Sequence, residues 1–375
     1  MIMDSFNYTF AALRGIQAGR EYFVAMCPLR LIPKIFYFNE TDEIPPDLRA
    51  QRVLNRGRIP AISRYLVENQ QDYVFSAITA SIDGEVSFQP FADKGPLHNA
   101  GQITVPMSAT FIVNDGQHRR AAIEEALKEC PSLGDETIAV VFFIDAGLKR
   151  SQQLFADLNT HAVRASASIG ILYNFRDPLA QLSRTIANQV PVFKGFTDME
   201  RSSIPNRSTK LFTLSGIYHA TAALLKKSDG DDVLSKEQHL AIGFWTELSK
   251  IIPEWQDNII RRTSSADLRR DYVLFHSVLL NALGLAGADL VAQYPDAWNH
   301  RLHALETVDW SRSNTNFWEG RAMIGGHLSK SRTNVLRTAM LLKQIMGLQL
   351  TESEQREISS SDLRSDKPEW EEAEA

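Results

Sequence analysis

Cysteine is scarce in this sequence, and the two that occur, Cys27 and Cys130, lie far apart in a chain of 375 residues. That number argues against a disulfide framework and against a cysteine-built zinc site. No uninterrupted apolar stretch approaches the roughly 20 residues that cross a bilayer. The first residues also lack the basic start and apolar core of a signal peptide. These absences predict a cytoplasmic protein without membrane contact.

Several motifs of common enzyme classes are missing as well. The sequence has no Gly-x-x-x-x-Gly-Lys-Ser/Thr loop, so an ordinary P-loop nucleotide hydrolase is not expected. It shows no compact carboxylate cluster with a nearby lysine, which argues against a nuclease. It also shows no internal repeat and no long heptad run. The apolar content of 44% is typical of a globular protein.

The net charge of −5 is unevenly distributed. From Thr351 onward, nine acidic and three basic residues give a local charge of −6, so residues 1–350 carry +1. A negative net charge usually argues against a nucleic-acid partner. Here the acidic segment hides an almost neutral body, and a nucleic-acid site would be a local basic patch on that body.

The pattern of apolar residues divides the chain into three parts. Mixed strands and helices predict an α+β domain over residues 1–165, and long amphipathic segments predict an all-helical domain over 166–350. The acidic segment 351–375 is predicted to be disordered. Within the first part, residues 17–20 and the dipeptide Asp83-Gly84 are each typical of hairpin turns between pairing strands.

The densest group of polar residues follows a short strand-like segment, residues 110–113. That segment is β-branched and aromatic, Gly116 permits a tight turn, and the residues after it have helical spacing. Backbone N–H groups at a helix start attract anions, and arginines there would reinforce that attraction. Phosphate is the anion we expect, at a site formed by Asp115, Gly116, Gln117, His118, Arg119 and Arg120.

An ordinary interpretation competes with this one. Strand–turn–helix joints are common, and Asn114 or Asp115 can simply cap the helix. An arginine pair on a first helical turn is often a solvated face. However, a helix start needs one cap, not six hydrogen-bonding side chains in succession. On the residues alone, the two interpretations have equal weight.

The pentapeptide Asp115-Gly116-Gln117-His118-Arg119 is the signature for which the DGQHR-domain proteins are named. Around it the chain resembles the DndB family of DNA sulfur modification proteins, which are encoded in DNA phosphorothioation gene clusters. Supporting segments lie at residues 22–30, 155–163 and 316–321. The resemblance spans nearly the whole body, from residue 5 to residue 350.

The resemblance implies both a function and a fold. The implied function is a DNA-binding transcriptional repressor that binds double-stranded promoter DNA of its own cluster, not a sulfur-inserting enzyme. The N-terminal fold is expected to be similar to the mixed-sheet ParB/sulfiredoxin class, in which a Gly-x-x-Arg-x-x-Ala box contacts nucleotide phosphates. Gly116, Arg119 and Ala122 match that box.

Two other functions stay open at this point. One is a ParB-like enzyme that binds or hydrolyses a nucleotide, with Mg²⁺ as its cofactor. The other is a non-catalytic subunit that binds other DNA-modification proteins. Each is compatible with a homo-oligomer.

Residues near the end of the first domain could take part in a nucleotide site. Asn159 and His161 would complete the polar cleft, although Asn159 is also a plausible helix cap. Asp115 and Asp157 supply carboxylates of the kind that Mg²⁺ accepts, but no residue is assigned as a metal ligand.

Three basic clusters outside the turn are candidate DNA contacts. Guanidinium, ammonium and hydroxyl groups donate to the phosphate oxygens of DNA, and residues 201–210 are the best candidate because they contain no acid. Each cluster could also be a solvated surface. The candidate residues are Arg52, Arg56, Arg58, Arg201, Arg207, Lys210, Lys330, Arg332 and Arg337.

Cys27 has two interpretations. It closes a predicted strand near Arg30, and a nearby cation favours the reactive thiolate. A buried, inert thiol is the more ordinary interpretation.

Overall fold

The computed structural model describes residues 6–36, 55–144, 153–154, 157–158 and 165–357. The chain folds as two compact units, Met1–Val163 and Arg164–Ala375. The first unit contains a mixed seven-stranded sheet, and the second is helical. The predicted fold class, a mixed sheet followed by a helical region, is confirmed. In the parts of the chain described, no helix is long and apolar enough to span a membrane.

The first unit is built on seven strands in the order β4-β5-β1-β2-β7-β3-β6. Neighbouring strands are antiparallel except β7 and β3, which are parallel. The strands are β1 (Asn7–Gln17), β2 (Arg20–Pro28), β3 (Ile78–Asp83), β4 (Ser87–Pro90), β5 (Ala100–Pro106), β6 (Thr110–Asp115) and β7 (Thr137–Ile144). The helices in the described residues are α1 (Ile32–Ile35), α2 (Ile59–Glu68) and α3 (Gln117–Glu129).

The hairpin predicted at residues 17–20 is confirmed. β1 and β2 pair through Gln17 and Arg20, with Ala18 and Gly19 between them. Both central residues have positive φ, 52° and 73°, as two-residue turns with the twist of paired strands require.

The hairpin predicted at Asp83-Gly84 is wrong. β3 ends at Asp83 and β4 begins at Ser87, yet β4 pairs with β5 while β3 pairs with β6 and β7. Five strand positions separate β3 from β4, which is about 24 Å across a flat sheet. The four residues from Asp83 to Ser87 reach at most about 14 Å. The sheet must therefore curl strongly, and this turn carries the chain between its two ends.

Aromatic rings fill the inside of the curl. Tyr8 of β1 and Phe111 of β6 are four strands apart in the sheet order, but their ring centroids are 6.0 Å apart. Phe142 of β7 lies 5.9 Å from both Phe10 and Phe111. Burial of each such ring stabilises the unit by about 1.5–3 kcal/mol. This core fixes the strand–helix joint that follows Phe111.

The second unit consists mainly of helices, with two short strand pairs. The helices are α4 (Ala167–Tyr173), α5 (Pro178–Gln189), α6 (Leu214–Leu225), α7 (Ser235–Ile251), α8 (Pro253–Ile259), α9 (Ser265–Asp271), α10 (Ser277–Gln293), α11 (Trp298–Leu302), α12 (Thr315–Trp318) and α13 (Arg332–Ile345). The strand pairs are β8 (Thr197–Asp198) with β9 (Phe212–Thr213), and β10 (Met323–Ile324) with β11 (His327–Leu328).

Helix α10 forms the centre of the second unit. It is apolar on nearly all sides and packs against α6 and α13. A side chain at Gly284 would overlap the carbonyl oxygen of Ala220, so glycine allows the close approach of α6 and α10. Residues 352–357, at the start of the segment predicted to be disordered, form a further helical turn, and 358–375 lie outside the described residues.

Candidate functional site

The strand–turn–helix joint lies where the sequence predicts it. β6 ends at Asp115, and α3 begins at Gln117. Gly116, between them, has a φ of 105°. A Cβ at that position would lie 2.9 Å from Ile78 Cγ1, so both backbone conformation and packing require glycine. No side chain caps α3, and the capping role predicted for Asn114 or Asp115 is wrong.

A bulge in β6 explains why neither residue caps the helix. Thr79 pairs with Asp115 and Ala80 pairs with Val113, so Asn114 is an extra residue in the strand. Asn114 is fully buried, and its Nδ2 donates to the Ser81 hydroxyl at 2.6 Å. Asp115 instead accepts from Arg119 at 2.5 Å. Both side chains therefore hydrogen-bond to other side chains and not to the backbone N–H groups at the start of α3.

The two arginines of the turn bind groups within the protein. Arg119 donates to the Ser76 hydroxyl at 2.7 Å and to the Ala77 carbonyl at 3.2 Å, which fixes the segment leading into β3. Arg120 donates to the carbonyl of Phe36 at 3.0 Å and to Glu124 at 2.5 Å. Each guanidinium also has a carboxylate partner, so neither is presented to solvent as an unpaired cation.

The rest of the predicted phosphate site is only partly described. Gln117 is buried and donates to the Val113 carbonyl at 3.3 Å, and His118 is half-buried. Asn159 and His161 lie outside the described residues. Phosphate or nucleotide binding at this turn therefore stays a prediction.

The described residues near the turn do not form a metal site. Asp157 is exposed and accepts from Gln153 at 2.6 Å. Across the described ranges, no group of three or more His, Cys, Asp or Glu residues is placed to hold a metal ion. The carboxylate of Asp115 is already paired with Arg119, so its geometry gives no support to a Mg²⁺ site.

A cavity of about 610 Å³ lies beside α2 and α3 in the first unit. Its lining mixes both signs of charge: Arg56, Arg64, Arg120, Glu68, Glu124, Glu125 and Glu129. Four carboxylates would repel a phosphate there. Arg56 and Arg58 lie on an exposed 3-10 turn next to this cavity, and Arg52 lies outside the described residues.

The loop 201–210 is organised by a buried arginine that the sequence did not single out. Arg269 of α9 is 8% exposed and donates to four carbonyls of the loop, those of Pro205, Asn206, Ser208 and Lys210. Burial lowers the pKa of its guanidinium, but an arginine starts from so high a value that the group stays charged. One side chain thus holds half of the loop in place.

The other half of the loop is attached to the start of α4. Ser168 donates to the Arg201 carbonyl at 2.8 Å, and the Ser202 hydroxyl accepts from the backbone of Ala167 at 3.0 Å. Arg201 and Arg207 are exposed, whereas Lys210 is half-buried and donates to the Gly195 carbonyl at 2.8 Å. The loop therefore presents two of its three predicted cations on a fixed backbone.

The basic cluster at α13 also presents two of its three predicted cations to solvent. Lys330 and Arg332 are exposed, but Arg337 pairs with Glu357 at 3.4 Å. On the same helix, Leu336 is 37% exposed, whereas Leu342 is buried.

Cys27 is completely buried in β2. Burial raises the pKa of its thiol to about 12, so the thiolate is rare at neutral pH. Arg30 bonds instead to the Gly134 carbonyl and to Asp135. The geometry favours the inert thiol over the reactive one.

Comparison with known proteins identifies the family. The family model described as DndB, DNA-sulfur modification-associated, matches residues 10–349. A search of curated proteins and a search of solved structures each gave no match. The family match includes both the turn at Gly116 and the loop 201–210.

Proposed function

Because the chain belongs to the DndB family of DNA-sulfur modification-associated proteins, we propose that it is a DNA-binding repressor of its own modification cluster. Its ligand is double-stranded DNA of the cluster's promoter. The observation that carries the proposal is the loop 201–210, which presents Arg201 and Arg207 on a backbone fixed by Arg269 and by the start of α4.

The fixed backbone matters for the energetics of DNA binding. Ordering a free loop costs about 1–2 kcal/mol per residue, which would reduce the affinity gained from phosphate contacts. Here the four carbonyl bonds of Arg269 hold the loop before DNA arrives. Arginine forks and loop hydroxyls then suit phosphate oxygens, and exposed Lys330 and Arg332 offer a second set of contacts.

The test is a mobility-shift titration of the full chain over a range of salt concentrations. A promoter fragment should bind more tightly than random DNA of equal length. Each phosphate contact contributes about −0.9 to the slope of log affinity against log salt, so the double variant Arg201→Gln, Arg207→Gln should flatten that slope by about 1.8. Both DNAs should lose affinity alike, because phosphates carry no sequence information.

Arg262→Gln is the matched control. It removes one positive charge, as each of the two loop substitutions does, from an exposed side chain that already pairs with Asp257 at 2.8 Å, and it should leave the slope unchanged. Absence of any preference for the promoter fragment would count against a repressor. Copurification with modification enzymes without DNA binding would instead support an assembly subunit.

A further inference from the structure

The second unit contains a cavity of about 590 Å³ beside the loop 201–210, and it differs in charge from the one in the first unit. Three arginines and a histidine line it together with hydroxyl and amide side chains, but none of its lining residues is an Asp or Glu. The residues that matter for its chemistry are Arg269, Arg270, Arg312, His276, Ser202 and Ser277.

The arginines give this cavity an excess of positive charge. Arg270 pairs with Asp267 at 2.7 Å and with Asp271 at 2.8 Å. Arg312 donates to the carbonyls of Arg270 and Gly326 at 3.2 and 3.3 Å, and Arg269 donates only to loop carbonyls. In the part of the chain that is described, no carboxylate pairs with Arg269 or Arg312. Two full positive charges therefore stay uncompensated at the cavity.

The start of α10 adds to this field. The helix has 17 residues and begins at Ser277, and no side chain caps it. The positive end of a helix dipole and its first backbone N–H groups favour an anion. Ser277 also lines the cavity and supplies a hydroxyl at the same place.

The size and the walls of the cavity indicate what kind of anion fits. Leu211, Phe212, Phe275 and Leu280 supply apolar walls in addition to the polar groups. Its volume lies within the range of about 300–1,000 Å³ that is typical of small-molecule sites. We propose that this cavity binds a nucleoside phosphate, with the phosphate at Arg312 and the start of α10 and the base against the apolar walls.

Isothermal titration calorimetry of the full chain tests this proposal with AMP, ATP, inorganic phosphate and adenosine as probes. AMP and ATP should bind, inorganic phosphate should bind more weakly, and adenosine should show no heat at the same concentrations. Binding of adenosine as tightly as AMP would overturn the assignment of the phosphate to the cationic groups, and the absence of binding by AMP and ATP would overturn the site.

Ser277→Asp is the sharpest variant. A carboxylate in the first turn of α10 is favourable for the helix, so the chain should fold. The same carboxylate would repel a phosphate in the cavity, and AMP affinity should fall more than about tenfold. Ser277→Asn has a similar size and no charge, so its affinity should stay within about threefold of the native chain. Equal affinities for the Asp and Asn variants would contradict the proposal.

Arg312→Gln provides a second variant, with Arg262→Gln as the control of equal charge outside the cavity. Of these two variants, only Arg312→Gln should lower the affinity for AMP. The same proteins in the mobility-shift titration separate this proposal from DNA binding. If AMP binds and DNA does not, the repressor proposal fails and the cavity assignment stands. If Ser277→Asp weakens DNA binding while no nucleotide binds the native chain, the cavity holds a DNA phosphate and the nucleotide proposal is overturned.

Discussion

At the scale of single residues, arginine has two distinct roles in this chain. Arg119, Arg120 and Arg269 donate to carbonyls of distant segments and hold backbone in place. Arg201 and Arg207 are exposed and suit an external anion. The sequence does not separate these roles, because an arginine that binds a carbonyl and one that binds a phosphate use the same donors.

Arg269 offers a test of the first role. Arg269→Met keeps an unbranched apolar side chain but removes the guanidinium, which leaves four loop carbonyls without their donor. We expect the free energy of unfolding to fall by about 2–4 kcal/mol, measured by urea denaturation. Arg270→Met is the control: it removes the neighbouring arginine, whose ion pairs lie at the surface, and should cost much less. An equal loss of unfolding free energy in the two variants would contradict the role of Arg269 in holding the loop.

At the scale of secondary-structure elements, an ion network centred on a buried lysine joins α10, α13 and the helical turn 352–357. Lys343 of α13 is 7% exposed and lies 2.5 Å from both Asp289 and Glu354. Asp289 also pairs with Lys226 at 3.0 Å. Burial alone raises the pKa of Asp289, but hydrogen bonds and charges of the two lysines outweigh it and lower that pKa. Lys343 likewise lowers the pKa of Glu354 against the effect of burial.

The network predicts a loss of stability in acid. A carboxyl group whose pKa is lower in the folded chain stabilises it above the unfolded value, about 4, and this contribution is lost as pH falls through the folded pKa. Urea unfolding of the native chain should therefore show a decline in stability below about pH 4. Lys343→Met removes one of the two lysines that lower the pKa of Asp289 and the lysine that lowers the pKa of Glu354, so its decline should be shallower. A parallel decline in both proteins would exclude this network as a source.

At the scale of the whole molecule, the distribution of charge bears on the proposed binding of DNA. Residues 358–375 contain six acidic and two basic residues, a net charge of −4. Those charges oppose the approach of a polyanion over distances of about one Debye length. They act on any DNA sequence, so they influence affinity more than specificity.

Deletion of residues 358–375 should therefore raise affinity for promoter and random DNA alike at low salt. The gain should disappear near 1 M salt, where the screening length is only about 3 Å. Mobility-shift titrations measure both effects. A full-length variant with the six acids replaced by amides keeps the segment and leaves its two basic residues, a net charge of +2, so it should raise affinity at least as much as the deletion does. A gain in affinity that persists at high salt would indicate that the segment opposes DNA binding by something other than charge repulsion.

Local sequence patterns are enough to predict the family, the fold class and the strand–turn–helix joint at Gly116. Each of these depends on local features: a pentapeptide, the periodicity of apolar residues, and one residue that tolerates positive φ. The hairpin at residues 17–20 was predictable for the same reason, because its two turn residues decide its geometry.

The roles of the charged residues and the pairing of distant strands depend instead on three-dimensional packing. Arg119 binds residues 42 and 43 positions away, and Arg269 binds residues 59 to 64 positions away. Pairing of β4 with β5 follows from the curl of the whole sheet, not from the turn at Gly84. The carboxylate-free cavity likewise combines the loop 201–210 with α9 and the start of α10. Such contacts depend on how distant segments pack, which no local pattern records.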